Sequence, residues 1–140
     1  MRYEISVDVE APAERVWTVL TDVERWPEWT ASMTSLRPVA ADSLAVGGEV
    51  VVKQPRLPVT RWRVTHLEPG RAFTWSARRP GLTTVAAHRI AAPDGGPVKV
   101  TLSLAQTGPL AAVLGALAGG LTRRYVIMEA YGLKRYCEAQ

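Results

Sequence analysis

Two histidines and one cysteine are the imidazoles and thiol of this 140-residue chain, so proton-transfer or nucleophilic chemistry must be sought first at His66, His88 and Cys137. His88 lies in residues 83–91, a strand-like run in which Thr84, Ala86, His88 and Ile90 share one face and Val85, Ala87 and Arg89 the other. Either face could look inward. An inward imidazole could give or take a proton near neutral pH, with burial tuning it. The alternative is a histidine held by a hydrogen bond to a neighbouring strand or to a helix. His66, just before the turn sequence Leu67-Glu68-Pro69-Gly70, is expected at the rim or surface. Cys137 falls in the last turn of the chain, where fraying is expected, which argues against a Cys–His nucleophile pair. Tetrahedral zinc needs about four ligands, and no ligand-spaced cluster exists, so no metal site is expected. GxSxG, GxGxxG and P-loop motifs are missing, and no cofactor is expected.

Aromatic side chains supply the other signal. Trp17, Trp26 and Trp29, three of the five tryptophans, fall within residues 16–30. Trp17 recurs at helical spacing with Ala13 and Leu20 and reads as core. Pro27 biases Trp26 away from helical angles, so Trp26 and Trp29 sit at a bend, where they either gate a pocket or close it. Phe73 and Trp75 share a strand face, and Met33 and Met128 offer adaptable apolar walls. With Trp62 pointing inward, Arg61 and Arg63 on the opposite face are solvated. The expected ligand-binding set is Trp26, Trp29, Met33, Trp62, Phe73, Trp75, Thr84, Ala86, Ile90, Leu117, Leu121, Tyr125 and Met128, with His88 as the catalytic candidate. Thr84, Gln106 and Tyr125 could orient a ligand.

These residues need elements to position them. Tyr3, Ile5, Val7 and Val9 alternate with polar residues, the period of a half-buried strand. Pro12 and Glu14 suit the start of a short helix, and Asp22 is a candidate cap for a second helical piece that should break at Pro27 and restart around Glu28. Residues 49–53, 59–67, 72–78, 83–91 and 98–106 read as strands joined by short Gly/Pro turns, an antiparallel meander. After Pro109, Leu110, Val113, Leu114, Leu117, Leu121, Tyr125 and Met128, continued by Leu133 and Tyr136, trace one side of a helix of about seven turns. Gly115, Gly119 and Gly120 weaken it by roughly 1 kcal/mol each relative to alanine and point to a bend or a close approach. The order is α+β: a curled antiparallel sheet of about seven strands with one long C-terminal helix across its concave side. No repeat or second domain is visible, so residues 1–140 are read as one domain.

The strings VDVEAPAERVWTVLTDVERWPEWTASM, LEPGRAFTW, AAHRI and TGPLAAVLGALAGGLTRRYVIMEAYGLKRY occur in that order over nearly the whole chain. In them the sequence resembles the START-like (helix-grip, SRPBCC) superfamily, in its polyketide cyclase/dehydrase-like branch of small bacterial proteins. The resemblance implies a seven-stranded sheet gripping the C-terminal helix around an apolar cavity for lipids, sterols, polyketides or other hydrophobic molecules. It also implies that His88 and Ile90 face the concave side, where the imidazole could enolise a polyketide or move a proton during dehydration.

Composition bounds the remaining classes. A charge of +4 and a pI near 9.6 come from scattered basic residues without a basic stripe, so no nucleic-acid partner is expected. No signal peptide is read, and the longest apolar run, residues 108–121, is shorter than the roughly 20 residues of a membrane span. A cytoplasmic monomer or homodimer binding a small hydrophobic molecule between sheet and helix is the leading expectation, with cyclase or dehydratase chemistry as its enzymatic form. Membrane contact is not part of that reading. It belongs to the alternative, a non-catalytic lipid-handling or accessory protein that meets a membrane or partner through residues 110–121.

Overall fold

The computed structural model describes residues 1–40 and 44–139. Among these, seven strands form one antiparallel sheet: β1 (Arg2–Val9), β2 (Ser35–Pro38), β3 (Glu49–Lys53), β4 (Thr60–Glu68), β5 (Ala72–Arg79), β6 (Leu82–Ala91) and β7 (Val98–Thr107). Their spatial order is β1-β7-β6-β5-β4-β3-β2. Helix α1 (Ala13–Thr21) and a 3₁₀-helix (Val23–Glu28) carry the chain from β1 at one edge to β2 at the other, and α2 (Ala111–Glu138) follows β7. From β2 onward each strand pairs with the next in sequence, which is why short turns suffice. Gly70, Gly81 and Gly95 take the positive φ these turns demand.

Alternation sets the inner face. His88 lies opposite both Leu102 and Phe73, and Ala86 opposite both Leu104 and Trp75, so two cross-strand rows of largely apolar side chains run across the centre of the sheet. In β4 the register shifts between Val64 and His66. This bulge turns Val64 and Leu67 toward the core and leaves His66 exposed, its Nε2 2.9 Å from Glu68 Oε1.

The chain after α1 departs from the expected break and restart. Pro27 lies inside the 3₁₀-helix, which ends at Glu28. The local bonds run from Arg25 N to Asp22 O, and from Trp29 N and Thr30 N to Trp26 O. None of them asks Pro27 for a donor, so the proline fits. Asp22 makes no side-chain capping bond; its carboxylate lies 3.7 Å from Arg25.

Helix α2 packs on β1, β7 and α1, and the expected single stripe divides in two. Tyr125, Val126, Glu129, Ala130, Leu133 and Cys137 face the core, whereas Leu110, Val113 and Leu117 are exposed. The first half of the helix meets Met1, which lies against Gly115 and Gly119, while a Cβ on Gly120 would find no described atom within 4 Å. The second half approaches so closely that a Cβ on Gly132 would overlap the Trp29 carbonyl oxygen. Its C-terminal end is tied down. Lys134 Nζ donates to Asp8 O, Glu10 N donates to Glu138 Oε2 at 2.8 Å, and Arg15 donates to Cys137 O at 3.2 Å. Cys137 is therefore wholly buried.

Two alanine substitutions should then act in opposite directions. Gly120→Ala is expected to stabilise by about 0.5–1 kcal/mol through helix propensity. Gly132→Ala is expected to destabilise by about 1–3 kcal/mol through overpacking. Urea unfolding checks both, and a neutral Gly132→Ala would mean that α2 can retreat from the 29–32 segment at no cost.

Candidate functional site

An aromatic nest surrounds His88. Its ring stacks on Phe73 with centroids 4.1 Å apart and planes 13° from parallel, meets Trp75 edge-on at 5.5 Å, and lies 5.6 Å from Trp26. Trp26 also contacts Trp29 at 5.4 Å and Trp75 at 5.5 Å, and Trp62 stands 5.8 Å beyond Trp75. The 3₁₀-helix holds Trp26 in place, and its Nε1 donates to Leu20 O at 3.0 Å. His88 Nδ1 lies 3.1 Å from Phe73 O. A carbonyl oxygen only accepts, so Nδ1 carries the proton and the neutral ring keeps a lone pair on Nε2. Burial pulls the histidine pKa down to about 4, a fall that the Phe73 bond partly opposes.

Across from the sheet, α2 contributes a second ionisable group, Glu129. It is buried, and its one hydrogen bond among the described residues is a long one, from Ser32 Oγ to Oε2 at 3.5 Å. Ser32 is itself tied to Thr30 Oγ1 at 2.6 Å. Burial pushes the carboxyl up to about 8, with the Ser32 bond acting weakly the other way, so at neutral pH Glu129 is a carboxylic acid able to donate. The sequence reading missed this residue. The available signal was its spacing: Tyr125, Glu129 and Leu133 follow one another at four-residue intervals on the buried face of α2.

His88 and Glu129 both line a cavity of about 60 Å³ between sheet and helix. Trp26, Met33, Trp62, Trp75, Ala86 and Tyr125 of the expected set stand in its wall, together with Gln54, Leu57, Leu102, Leu104, Thr122 and Val126. The other expected residues lie elsewhere. Phe73 backs His88 from behind; Ile90 is core; Thr84 is buried and accepts from Gln106 Nε2 at 3.4 Å. Trp29 and Met128 line a separate outer hollow against Tyr131 and Arg135. Leu121 is half-buried away from the wall, and Leu117, on the outer side of α2, is 79% exposed. Trp26 is 1% exposed, so it seals the inner end of the cavity and does not gate it. The partly exposed wall residues Gln54, Leu57 and Thr122 mark the mouth, where Tyr125 Oη donates to Pro55 O at 2.5 Å and latches the β3–β4 loop to α2. A larger hollow, about 510 Å³, opens beside α1 and β3, but its edge is formed by Ala40 and Leu44, which flank residues 41–43 outside the described set. Among the described residues no group of three His, Cys, Asp or Glu side chains could hold a metal ion.

The two buried groups pull stability in opposite directions with pH. Between the ordinary carboxylate value of 4.5 and about 8 the unfolded chain loses the Glu129 proton while the folded chain keeps it, so this contribution to stability falls as pH rises through that window. Between 6.5 and about 4 the unfolded chain protonates His88 and the folded chain does not, so stability falls as pH drops. Glu129→Gln should accordingly raise the melting temperature by a margin that widens from about pH 4.5 to about pH 8 and then levels off. Calorimetry at a series of pH values checks this, and a pH-independent margin would mean that the carboxyl ionises normally in the fold.

Solved structures share this architecture at low identity. A hypothetical protein from Helicobacter pylori is 16% identical, with a TM-score of 0.81 over 97% of this chain and 86% of that one. The Zhui aromatase/cyclase from Streptomyces sp. R1128 is 17% identical, with a TM-score of 0.78 over 99% and 93%. A Thermus thermophilus protein is 18% identical, with a TM-score of 0.76 over 99% and 98%. These likenesses establish the helix-grip fold. No curated protein matches the sequence. A family model described as "Polyketide cyclase / dehydrase and lipid transport" matches residues 1–138, and the chain belongs to that family.

Proposed function

We propose that the chain binds a small hydrophobic molecule carrying a carbonyl group in the cavity between sheet and α2, and that His88 and Glu129 act on it as base and acid. The observation that carries this reading is the pair itself: two ionisable side chains on opposite walls of an apolar cavity, both buried and, among the described residues, both without an ion-pair partner. The Streptomyces aromatase/cyclase with the same fold supports the choice of a polyketide-like ligand.

The chemistry follows from the protonation states. Glu129 donates to the carbonyl oxygen, and that hydrogen bond acidifies the adjacent carbon, which a base as weak as His88 requires. Nε2 takes the carbon-bound proton as Glu129 gives up its own, and the C–H electron pair becomes the C=C bond of an enol. From a β-hydroxy ketone the enol returns its O–H proton to Glu129, the carbonyl re-forms, and the hydroxyl leaves as water with the proton held on His88. Both side chains end as they began.

Size sets a condition. About 60 Å³ holds a water molecule or two, whereas pockets for drug-sized molecules run to roughly 300–1,000 Å³. A ligand therefore enters by moving the mouth, and Leu57 and the Tyr125–Pro55 latch are the parts that can yield without disturbing the nest.

A naphthyl methyl ketone serves as probe, because Trp26, Trp62 and Trp75 in the cavity wall report its arrival by fluorescence quenching. Saturable quenching is expected, with faster association in Tyr125→Phe. Exchange of the methyl protons for deuterium, followed by NMR, reads the chemistry: His88→Ala and Glu129→Gln should each slow exchange by about a hundredfold or more. The wild-type rate should be flat between about pH 4 and about pH 8, falling below as His88 protonates and above as Glu129 ionises. Quenching with undiminished exchange in both variants would leave a carrier and remove the catalytic part of the proposal. Absence of quenching would remove the ligand class.

A further inference from the structure

The end of the molecule that holds the cavity mouth also presents an apolar surface that none of the described residues covers. Leu110, Val113 and Leu117 recur at three- and four-residue intervals along the outer side of α2, 45%, 54% and 79% exposed. Val59, in the β3–β4 loop, is 57% exposed. Hydrogen bonds and packing knit these pieces into one face. Arg79 Nη2 donates to Val59 O at 2.9 Å, joining the β5–β6 turn to the β3–β4 loop. Leu110 N donates to Gly81 O at 2.9 Å, joining that turn to α2. Ala112, Ala116 and Gly120 flank the apolar side chains and are exposed too, so small residues surround the larger ones.

The charge around this face has one sign. Arg56, Arg78, Arg79, Arg123 and Arg124 are all exposed there, and Arg124 stands seven residues, two turns, after Leu117 on the same side of the helix. Between Glu68 and Glu129 the chain contains one acidic residue, Asp94, and it lies in the β6–β7 turn at the opposite end of the sheet. Among the described residues none of these five arginines forms an ion pair. Arg123 lies over the Tyr3 ring at 5.2 Å, which leaves its charge unneutralised.

We infer that this face docks on an anionic lipid bilayer, with Leu110, Val113, Leu117 and Val59 entering the interface and the arginines meeting lipid phosphates. A second copy of the chain is the poorer fit, because a two-fold contact would lay arginine on arginine. The contact is peripheral: among the described residues no helix is long and apolar enough to cross a membrane. Docking would set the Gln54–Leu57–Thr122 mouth against the lipid, where an apolar ligand could pass without crossing water. The surface would serve this role whether or not the cavity performs chemistry.

Co-sedimentation of the full chain with vesicles of phosphatidylcholine, and of phosphatidylcholine mixed with phosphatidylglycerol, tests it. Binding is expected to the mixed vesicles at low ionic strength, to be lost as salt is raised, and to be weak on phosphatidylcholine alone. Val113→Ser with Leu117→Ser, and separately Arg123→Ala with Arg124→Ala, should each cut binding by about fivefold or more. Arg71→Ala with Arg89→Ala, on the opposite end, should leave it unchanged. The substituted α2 side chains are exposed, and an unchanged melting temperature confirms that each variant is folded. Three results would overturn the proposal: no binding to mixed vesicles at low salt, equal binding by the Val113/Leu117 variant, or a dimer in light scattering that those two serines dissolve. The ketone titration in the absence of lipid reads the cavity separately, so failure of one proposal is not mistaken for failure of the other.

Discussion

Desolvation by the aromatic nest is the constraint on which the site depends. Trp26, Phe73 and Trp75 shield His88 from bulk solvent, and the same enclosed interior reaches Glu129 on the facing helix. An ionised group there would lose its hydration without a partner charge to offset the loss, so each side chain adopts its neutral form. A neutral imidazole accepts and a neutral carboxyl donates. The chemistry open to the cavity is thus fixed less by the identities of the two residues than by the rings around them. Trp26 carries much of this arrangement: a 3₁₀-helix of six residues supports it, and its indole nitrogen bonds back to Leu20, so α1, the 3₁₀-helix and the sheet meet on one side chain.

Parity and punctuation made much of the sheet legible. The strand from 83 to 91 showed its two faces by alternation, the turns were marked by glycine and proline, and the outward pair Arg61 and Arg63 followed once Trp62 faced in. Choosing the face that carries His88 took the family resemblance, because a strand of threonine, alanine and valine is nearly as apolar on one side as on the other. Helix α2 was harder for a related reason. Hydrophobic periodicity finds a stripe and does not say where along the helix a partner ends, so Leu117 looked as buried as Leu133. Glu129 was passed over because a charged residue is ordinarily taken as solvated. Trp26 and Trp29 were indistinguishable in sequence; the 3₁₀ geometry sends one to the inner end of the cavity and the other to an outer hollow.

The two ends of the sheet divide their labour. At the β6–β7 end, the Gly132 contact with Trp29 and the bonds of Lys134 to Asp8 O and of Glu10 N to Glu138 leave little freedom. At the other end, α2 meets Met1 and the β5–β6 turn, and among the described residues one tyrosine hydroxyl bonds the helix to the β3–β4 loop. Arg56, in that loop, adopts a left-handed backbone with φ of 67°, a conformation uncommon outside glycine and asparagine. A fold that is fastened firmly at one end and more lightly at the other can open at its mouth without loosening the aromatic nest.

The burial of Cys137 turns an inert residue into a built-in clock. The thiol is wholly enclosed and its pKa is raised to about 11 by burial, so alkylating reagents find neither access nor thiolate while the last turn of α2 is seated. Modification must wait for that turn to lift away from β1. The rate at which the native protein takes up a label therefore reports the opening of the firmly fastened end, as its population when reclosing outpaces labelling and as its frequency when labelling is the faster, with no reporter group introduced.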